Sequence, residues 1–117
     1  MEQPSAEALF LAYLRRHARN ELEGVLALFE DDAQVEDPVG SPAHYGIEAI
    51  RAFYAGTHAR NGTMTIEPVG SFLVGGDELA AHVRAELDKA GSPPPMDVIY
   101  TIRISGAGRI ASLRAWY

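Results

Sequence analysis

Several features that mark other classes of protein are missing from this sequence. The 117 residues include no cysteine, which excludes disulfide bonds, thiolate metal sites and cysteine nucleophiles. Lysine and arginine total 10 against 16 acidic residues, and the only basic cluster is the pair Arg15 and Arg16. A chain with a net charge of -6 and no basic patch is repelled by a phosphate backbone, so we do not expect nucleic acid as a partner.

Long apolar runs are absent as well. No stretch approaches the roughly 18 apolar residues that a membrane-spanning helix needs. The opening residues "MEQPSAEALF" have no basic segment ahead of an apolar run, whereas a secretory signal has one. We therefore expect a cytoplasmic protein with no membrane partner.

What is present is the composition of a globular domain. Hydrophobic residues make up 47% of the chain and charged residues 22%. There is no internal repeat and no linker-like stretch. A chain of this length buries one moderate core, so residues 1–117 are predicted to form a single domain.

Three segments show the apolar spacing of amphipathic helices. The first begins at Ser5, a residue type suited to the N-cap, after Pro4, and ends near Asn20. The second stops at the acidic run "EDDA", and the third covers residues 46–58. Their apolar faces consist, in order, of Leu9, Phe10, Tyr13, Leu14 and His17; of Leu22, Val25, Leu26 and Phe29; and of Ile47, Ile50, Phe53, Tyr54 and Thr57.

The chain after Gly62 has the composition of strands and turns. Strands are predicted over residues 64–74, 78–87, 96–104 and 109–117, separated by "GGD", "DKAGSPPP" and "SGAG". Helices followed by a meander indicate an α+β fold, in which three N-terminal helices pack on a curved, mainly antiparallel sheet. Such a sheet forms a cone whose open end is an apolar pocket.

One acidic residue is placed where a core residue is expected. In "AQVEDPVGSP", residues 33–42, strand alternation puts Ala33, Val35 and Asp37 on one side and Gln34 and Glu36 on the other. The proline that follows ends the strand, because it cannot donate to a ladder. The pattern thus directs a carboxylate towards the core.

Three motifs resemble ketosteroid isomerase, a family within the cone-shaped α+β domains that include nuclear transport factor 2. They are "LFEDDAQVEDPVGS" at 28–41, "FYAG" at 53–56 and "GAGRIASLRAWY" at 106–117. The resemblance implies that Asp37 is the catalytic base and that Tyr13, 24 residues earlier, donates to the oxyanion. It also implies that Tyr54 hydrogen-bonds to Tyr13, while Phe29 stands where members have Tyr or Phe.

The implied reaction moves the double bond of a β,γ-unsaturated 3-oxo steroid into conjugation. A carboxylate takes a proton next to the carbonyl group and returns it two carbons away, through a dienolate. Neutral hydrogen-bond donors stabilise the negative oxygen. The reaction needs neither a metal nor a cofactor, and we expect none.

The second oxyanion donor departs from the family pattern. A protonated aspartate of the family aligns with Tyr100, and the nearest acid is Asp97. Alternation puts Met96, Val98 and Tyr100 on one face and Asp97 on the other, which favours Tyr100 as the donor. A β-bulge near Pro95 would instead turn Asp97 into the pocket.

The substrate is expected to be a small hydrophobic ketone such as a steroid. The resemblance also implies a homodimer joined through the outer face of the sheet, which would present Ile99 and Thr101, with Arg103 near the edge. The predicted pocket lining is mostly apolar and consists of Phe53, Ala81, Val83, Val98, Leu113, Trp116 and Tyr117.

Other interpretations stay open at this point. An acid before a proline is often a turn residue, and tyrosines on apolar faces are often ordinary core residues. The four histidines, His17, His44, His58 and His82, lack metal-ligand spacing and are predicted to be at the surface or lightly buried. Two other functions are a polyketide-cyclase-like enzyme, which also uses an Asp to remove an acidic proton, and a non-catalytic module for hydrophobic-ligand binding or dimerisation.

Overall fold

A computed structural model describes residues 5–117, so Pro4 and the three residues before it lie outside the described residues. The first helix, α1, is Ala6–Ala18. The Ser5 side chain accepts a hydrogen bond of 3.1 Å from the backbone N–H of Ala8, which confirms the predicted N-cap. No helix of the described chain is long and apolar enough to cross a bilayer.

The second helix is shorter than predicted. It covers Leu22–Leu26 as α2, and strand β1 begins soon after it as Phe29–Glu36. The placement of Phe29 in a helix was therefore wrong. Phe29 pairs with Ile110 across the sheet and is only 2% exposed, so pairing and burial override the helical spacing of a single turn.

A two-residue strand that the sequence pattern did not predict, β2 at His44–Tyr45, leads into the third helix, α3 at Ile47–Asn61. Gly46 connects them with a φ of 84°, a backbone conformation that favours glycine. The helix runs three residues beyond the predicted end at His58. Three helices thus precede the main part of the sheet, as predicted.

The remaining strands are β3 (Met64–Pro68), β4 (Leu73–Gly75), β5 (Glu78–Leu87), β6 (Met96–Ile104) and β7 (Ile110–Trp116). The predicted strand 64–74 is divided into two. Pro68 has no N–H, and Gly70 adopts a φ of 77°, so the ladder is interrupted there. Both pieces pair with the same strand, β3 with its second half and β4 with its first.

The sheet has the order β2-β1-β7-β6-β5-β3, with β4 also on β5. Every neighbouring pair is antiparallel except β1 and β7, which are parallel. The buried side chains lie between the concave face of this sheet and the helices. The structure confirms the predicted α+β class with helices on a curved, mainly antiparallel sheet.

Candidate functional site

Asp37 follows directly after the last residue of β1 and faces the interior. Ala33 and Val35 are 0% exposed and Asp37 is 9% exposed, so the predicted alternation is confirmed. The Asp37–Pro38 peptide bond is cis. The hydroxyl group of Tyr117 donates a hydrogen bond to Oδ1 of Asp37, which leaves the other carboxylate oxygen available to a substrate.

Burial determines the acidity of this carboxyl group. The loss of hydration raises the pKa of Asp37 above its ordinary value, while the hydrogen bond from Tyr117 and the charge of His44 act in the opposite direction. A carboxylate with a raised pKa is a stronger base than an exposed one. Asp37 is therefore suited to accept and return a proton.

Three tyrosine hydroxyl groups lie in the same interior. Tyr13 on α1 and Tyr54 on α3 are each 0% exposed, and their hydroxyl oxygens are 2.8 Å apart, so the predicted hydrogen bond is present. Tyr100 on β6 is 5% exposed, and its ring packs edge-on against Tyr13 at 5.8 Å. We call Tyr13, Tyr54 and Tyr100 the tyrosine cluster.

These phenols are neutral donors at every ordinary pH. Burial is the largest cause of the raised pKa of all three members of the tyrosine cluster, and the nearby charge of Asp37 raises each further. A hydrogen bond with Tyr13 acts in the opposite direction on Tyr100. The cluster can therefore donate hydrogen bonds to an oxygen that becomes negative.

Strand register brings Asp37 and Tyr100 to the same level of the sheet. Glu36 pairs with Arg114, so the next residue, Asp37, lies beside Ala115, which in turn pairs with Tyr100. Strands are roughly 4.8 Å apart and only β7 lies between β1 and β6, so two inter-strand spacings put these backbones about 10 Å apart. The residue between them on β7 is Ala115, whose small side chain does not itself separate the carboxylate from the phenol.

The structure shows which of the two candidate residues on β6 faces the interior. The register with β5 is continuous along β6, from Arg103 to Met96, so no bulge turns the strand near Pro95. Asp97 faces outwards, where its carboxylate is 2.8 Å from Nε2 of His82 and 3.2 Å from the Arg84 guanidinium. Placing Asp97 in the interior would therefore be wrong, and Tyr100 is the inward residue.

The predicted lining residues divide between the two faces of the sheet. Ala81, Val83, Val98 and Leu113 are buried on the concave side. Phe53 is partly buried, with its ring 5.0 Å from Tyr54 and 4.6 Å from His44.

The two lining residues predicted at the end of β7, Trp116 and Tyr117, differ in position. Tyr117 is 57% exposed but reaches Asp37 with its hydroxyl group. Trp116 lies on the outer face, where the guanidinium of Arg114 is 4.9 Å from its ring, so the prediction that it lines the pocket was wrong. The reason is alternation along β7, in which Leu113 and Ala115 take the inward positions.

A small apolar cavity of about 130 Å³ lies at the end of the cone where β6 begins. Asp37 is at this same end, because β1 and β7 finish here and β6 runs antiparallel to β7. The sequence pattern did not identify this cavity, although its sheet residues continue the inward rows of Val83 and Val98. Its lining consists of Asn61, Met64, Ala85, Leu87, Pro93, Pro94 and Met96.

Two of the four histidines are buried, contrary to prediction. His17 is 5% exposed and His58 is 9% exposed, and Nδ1 of the first is 3.2 Å from Nε2 of the second. The other two histidines are more exposed, as predicted. The missed signal is a repeated spacing, "YLRRH" at 13–17 and "YAGTH" at 54–58, which puts a histidine one helical turn after each core tyrosine.

Phenylalanine rings pack around the tyrosine cluster in the interior. Phe10 packs against Tyr13 at 5.8 Å, Tyr100 at 5.4 Å and Phe72 at 5.3 Å.

Among residues 5–117, no three histidine or acidic side chains come together as a metal site. The chemistry that these residues offer is acid–base catalysis by one carboxyl group, with phenolic hydrogen bonds.

Comparison with known proteins identifies the family. Residues 10–113 match the SnoaL-like domain, a family in the nuclear transport factor 2-like superfamily. SalBIII, an epoxide hydrolase/cyclase-like enzyme with a role in pyran ring formation in the polyether salinomycin, has a similar structure. The TM-score is 0.80 at 23% sequence identity, over 94% of this chain and 88% of the other. At this identity the likeness establishes the shared fold alone.

The buried histidines predict how stability depends on pH. Burial, together with the charge of His58, lowers the pKa of His17 from 6.5 to about 3. The unfolded chain therefore binds a proton between these values that the folded chain does not, so the free energy of unfolding falls as the pH drops from 6.5 towards 3. In urea titrations across this range, His17→Phe should show a shallower pH dependence than the wild type.

An exposed residue on the same helix provides the control for this measurement. Leu11→Gln should keep the pH dependence of the wild type, because Leu11 is 45% exposed and the change neither adds nor removes a titratable group. Equal slopes for the wild type and His17→Phe would mean that His17 is protonated as easily in the folded chain as in the unfolded one.

Proposed function

Because this chain belongs to the SnoaL-like domain family, we propose that it is an enzyme that removes a proton next to a carbonyl group, with Asp37 as the base. The observation that carries the proposal is one buried carboxylate facing the same interior as three buried tyrosine hydroxyl groups. The proton moves from the substrate carbon to Asp37. The resulting enolate oxygen accepts hydrogen bonds from Tyr13 and Tyr100, while Tyr54 holds the hydroxyl of Tyr13.

The reaction class that we propose is a cyclase-type ring closure. The enolate carbon attacks a second carbonyl group of the same substrate and forms a carbon–carbon bond, and the new alkoxide takes the proton back from Asp37. This returns the enzyme to its starting state without a cofactor. The fold shared with an epoxide hydrolase/cyclase-like enzyme supports a cyclase over the alternatives.

Steroid isomerisation is the second candidate, because it uses the same enolate. In that reaction Asp37 returns the proton two carbons away, and no new bond closes a ring. The 2.8 Å hydrogen bond between Tyr13 and Tyr54 supports this candidate, since the resemblance to ketosteroid isomerase implied it. A non-catalytic hydrophobic-ligand-binding module would keep the pocket and lack the proton transfer.

The apolar lining of the cavity supports an elongated, uncharged, apolar substrate. Tyr100 is four residue steps along β6 from Met96 at the cavity, a distance of roughly 13 Å along a strand. A substrate with its carbonyl group at Tyr13 can therefore place its far end among the apolar side chains of the cavity. A steroid or a folded polyketide of a few rings has this length.

Replacement of the base tests the proposed function directly. We expect Asp37→Asn to lower deuterium uptake from D₂O by a hydrophobic 1,5-diketone, which can close a six-membered ring, or by an unconjugated 3-ketosteroid by about 10² to 10⁴-fold. The same variant should be more stable than the wild type at pH 7, because it removes a charge that burial disfavours. Exchange within tenfold of the wild type would refute Asp37 as the base.

The products of this assay separate the candidates. A rise in the ultraviolet absorbance of a conjugated enone from the 3-ketosteroid indicates isomerisation, and a ring-closed product from a diketone indicates the cyclase. No exchange with either probe, combined with saturable binding of both, would favour the binding module.

A second prediction concerns the two residues that the strand pattern weighed against each other. Tyr100→Phe removes one donor to the developing oxyanion but keeps the ring, and should lower the exchange rate by about 10 to 10³-fold. Asp97→Ala is its matched control, since Asp97 faces outwards, and should stay within about threefold of the wild type. Small effects from both would leave Tyr13 as the only donor that acts.

We also propose a homodimer joined through the outer face of the sheet. Ile99 is 42% exposed and lies beside Trp116 on this face. The ion pairs Arg84–Asp97 and Arg114–Glu36 flank them. An apolar centre with a charged rim is typical of a self-complementary interface.

Sedimentation tests this assembly. The wild type at micromolar concentration should have about twice the monomer mass of 12.7 kDa, and Ile99→Asp should shift it to the monomer because a charge is then buried at the contact. Leu11→Asp is the control, because Leu11 is 45% exposed on α1, on the helix side of the sheet and away from this face. A monomeric wild type would rule out the interface.

A further inference from the structure

Helices α1 and α3 are joined by two polar contacts of the same design. Each helix carries a tyrosine and, four residues later, a histidine, which places both side chains on one face. The tyrosine hydroxyls meet at 2.8 Å, and the imidazole nitrogens of His17 and His58 meet at 3.2 Å. The histidine pair is thus one helical turn away from the proposed oxyanion donor.

His17 is in direct contact with the ring of that donor. Its imidazole stacks on Tyr13 with centroids 5.5 Å apart and planes 20° apart. Phe10 stacks in the same way at 5.8 Å and 19°. Tyr13 therefore belongs to a column of three aromatic rings along α1, with His17 at one end.

The orientation of His17 is in turn set from the other helix. Its Nδ1 is hydrogen-bonded to His58, and its ring packs edge-on against Tyr54 at 5.3 Å. A neutral imidazole has one donor and one acceptor nitrogen, so a pair of neutral histidines forms one directional N–H···N bond. This hydrogen bond restricts rotation of the His17 ring about its side-chain torsion angles.

Stability alone does not explain why histidines occupy these positions. Nδ1 of His58 is buried and has no hydrogen-bond partner, which is unfavourable for folding. Two apolar side chains of similar size would fill the same space without that penalty. A role in the reaction accounts for a polar pair that packing does not require.

We propose that His17 and His58 are positioning residues, which hold the ring of Tyr13 so that its hydroxyl group points at the enolate oxygen. This inference rests on the proposed function of Asp37 and Tyr13. The pair takes no part in proton transfer to the substrate. Its effect is geometric, and small displacements of a donor weaken catalysis strongly.

The decisive variant replaces both histidines at once. A single replacement leaves the partner nitrogen unpaired and lowers stability, whereas His17→Phe/His58→Phe removes both polar groups and keeps aromatic rings. We expect the double variant to melt near the wild-type temperature. Its kcat for deuterium exchange should nevertheless fall about tenfold with KM nearly unchanged, and its affinity for a series of phenols as enolate analogues should fall by a similar factor.

Two further variants complete the design. His58→Gln keeps a side-chain hydrogen-bonding group opposite His17 and should recover most of the lost phenol affinity. His82→Gln replaces an exposed histidine on the outer face and should match the wild type in kcat, in phenol affinity and in the Tyr13 resonance, which report on the interior.

The spectrum of Tyr13 provides a readout that does not depend on activity. With tyrosine labelled at Cζ, the Tyr13 resonance should shift and broaden in the double variant and return towards the wild-type position in His58→Gln. A double variant with unchanged resonance and phenol affinity would overturn the proposal. If the wild type binds no phenol and exchanges no proton, the proposed function fails, and the resonance still decides whether the pair positions Tyr13.

Discussion

The parallel pairing of β1 with β7 is the constraint on which the site depends. It is the only parallel contact in the described sheet, and it inserts a strand that precedes α3 next to the last strand of the meander. That register places Asp37 at the level of Ala115 and Tyr100. A slip of one residue would turn the carboxylate to the outer face.

The site concentrates polar groups where the fold would otherwise be apolar. The tyrosine cluster satisfies part of its own hydrogen-bonding requirement through the Tyr13–Tyr54 contact, so these hydroxyl groups are buried at limited cost. Asp37 has a less favourable position, because burial disfavours its charged form. The same desolvation that lowers stability makes the carboxylate more basic, and local compromises of this kind are typical of functional sites.

Much of the fold follows from local patterns in the sequence. Alternation predicted β5 and β6 with their observed ends and identified the inward side of Asp37, because these strands are long and have one buried face. The sequence did not predict β2 or the strand assignment of Phe29, since both depend on pairing with distant residues. A short buried segment such as the one around Phe29 has the same apolar residues whether it is a turn of helix or the start of a strand, so its composition does not distinguish the two.

For the candidate site, the sequence placed some residues correctly and others wrongly. Asp37, Tyr13 and Tyr54 were identified by a resemblance to a known family, and alternation selected Tyr100 over Asp97. Trp116 was misplaced because the inward phase of β7 depends on its register with β6. The Tyr–His spacing within each helix puts His17 and His58 on the same face as Tyr13 and Tyr54. Their burial against each other depends on how the two helices cross, which that spacing does not specify.

The distance in sequence between β1 and β7 has a consequence for the order of folding. Glu36 and Arg114, which form a contact across this pair, are 78 residues apart, whereas β5, β6 and β7 are joined by short turns. Closing a long loop delays the contacts that it enables, so distant pairings form slowly. A chain in which only the meander had formed would carry Tyr100 on its strand without Asp37 beside it. The proposed proton transfer, which needs both residues, would then report the completion of the most distant strand pairing among the described residues. Spectroscopic signals from the bulk of the sheet would not distinguish this step.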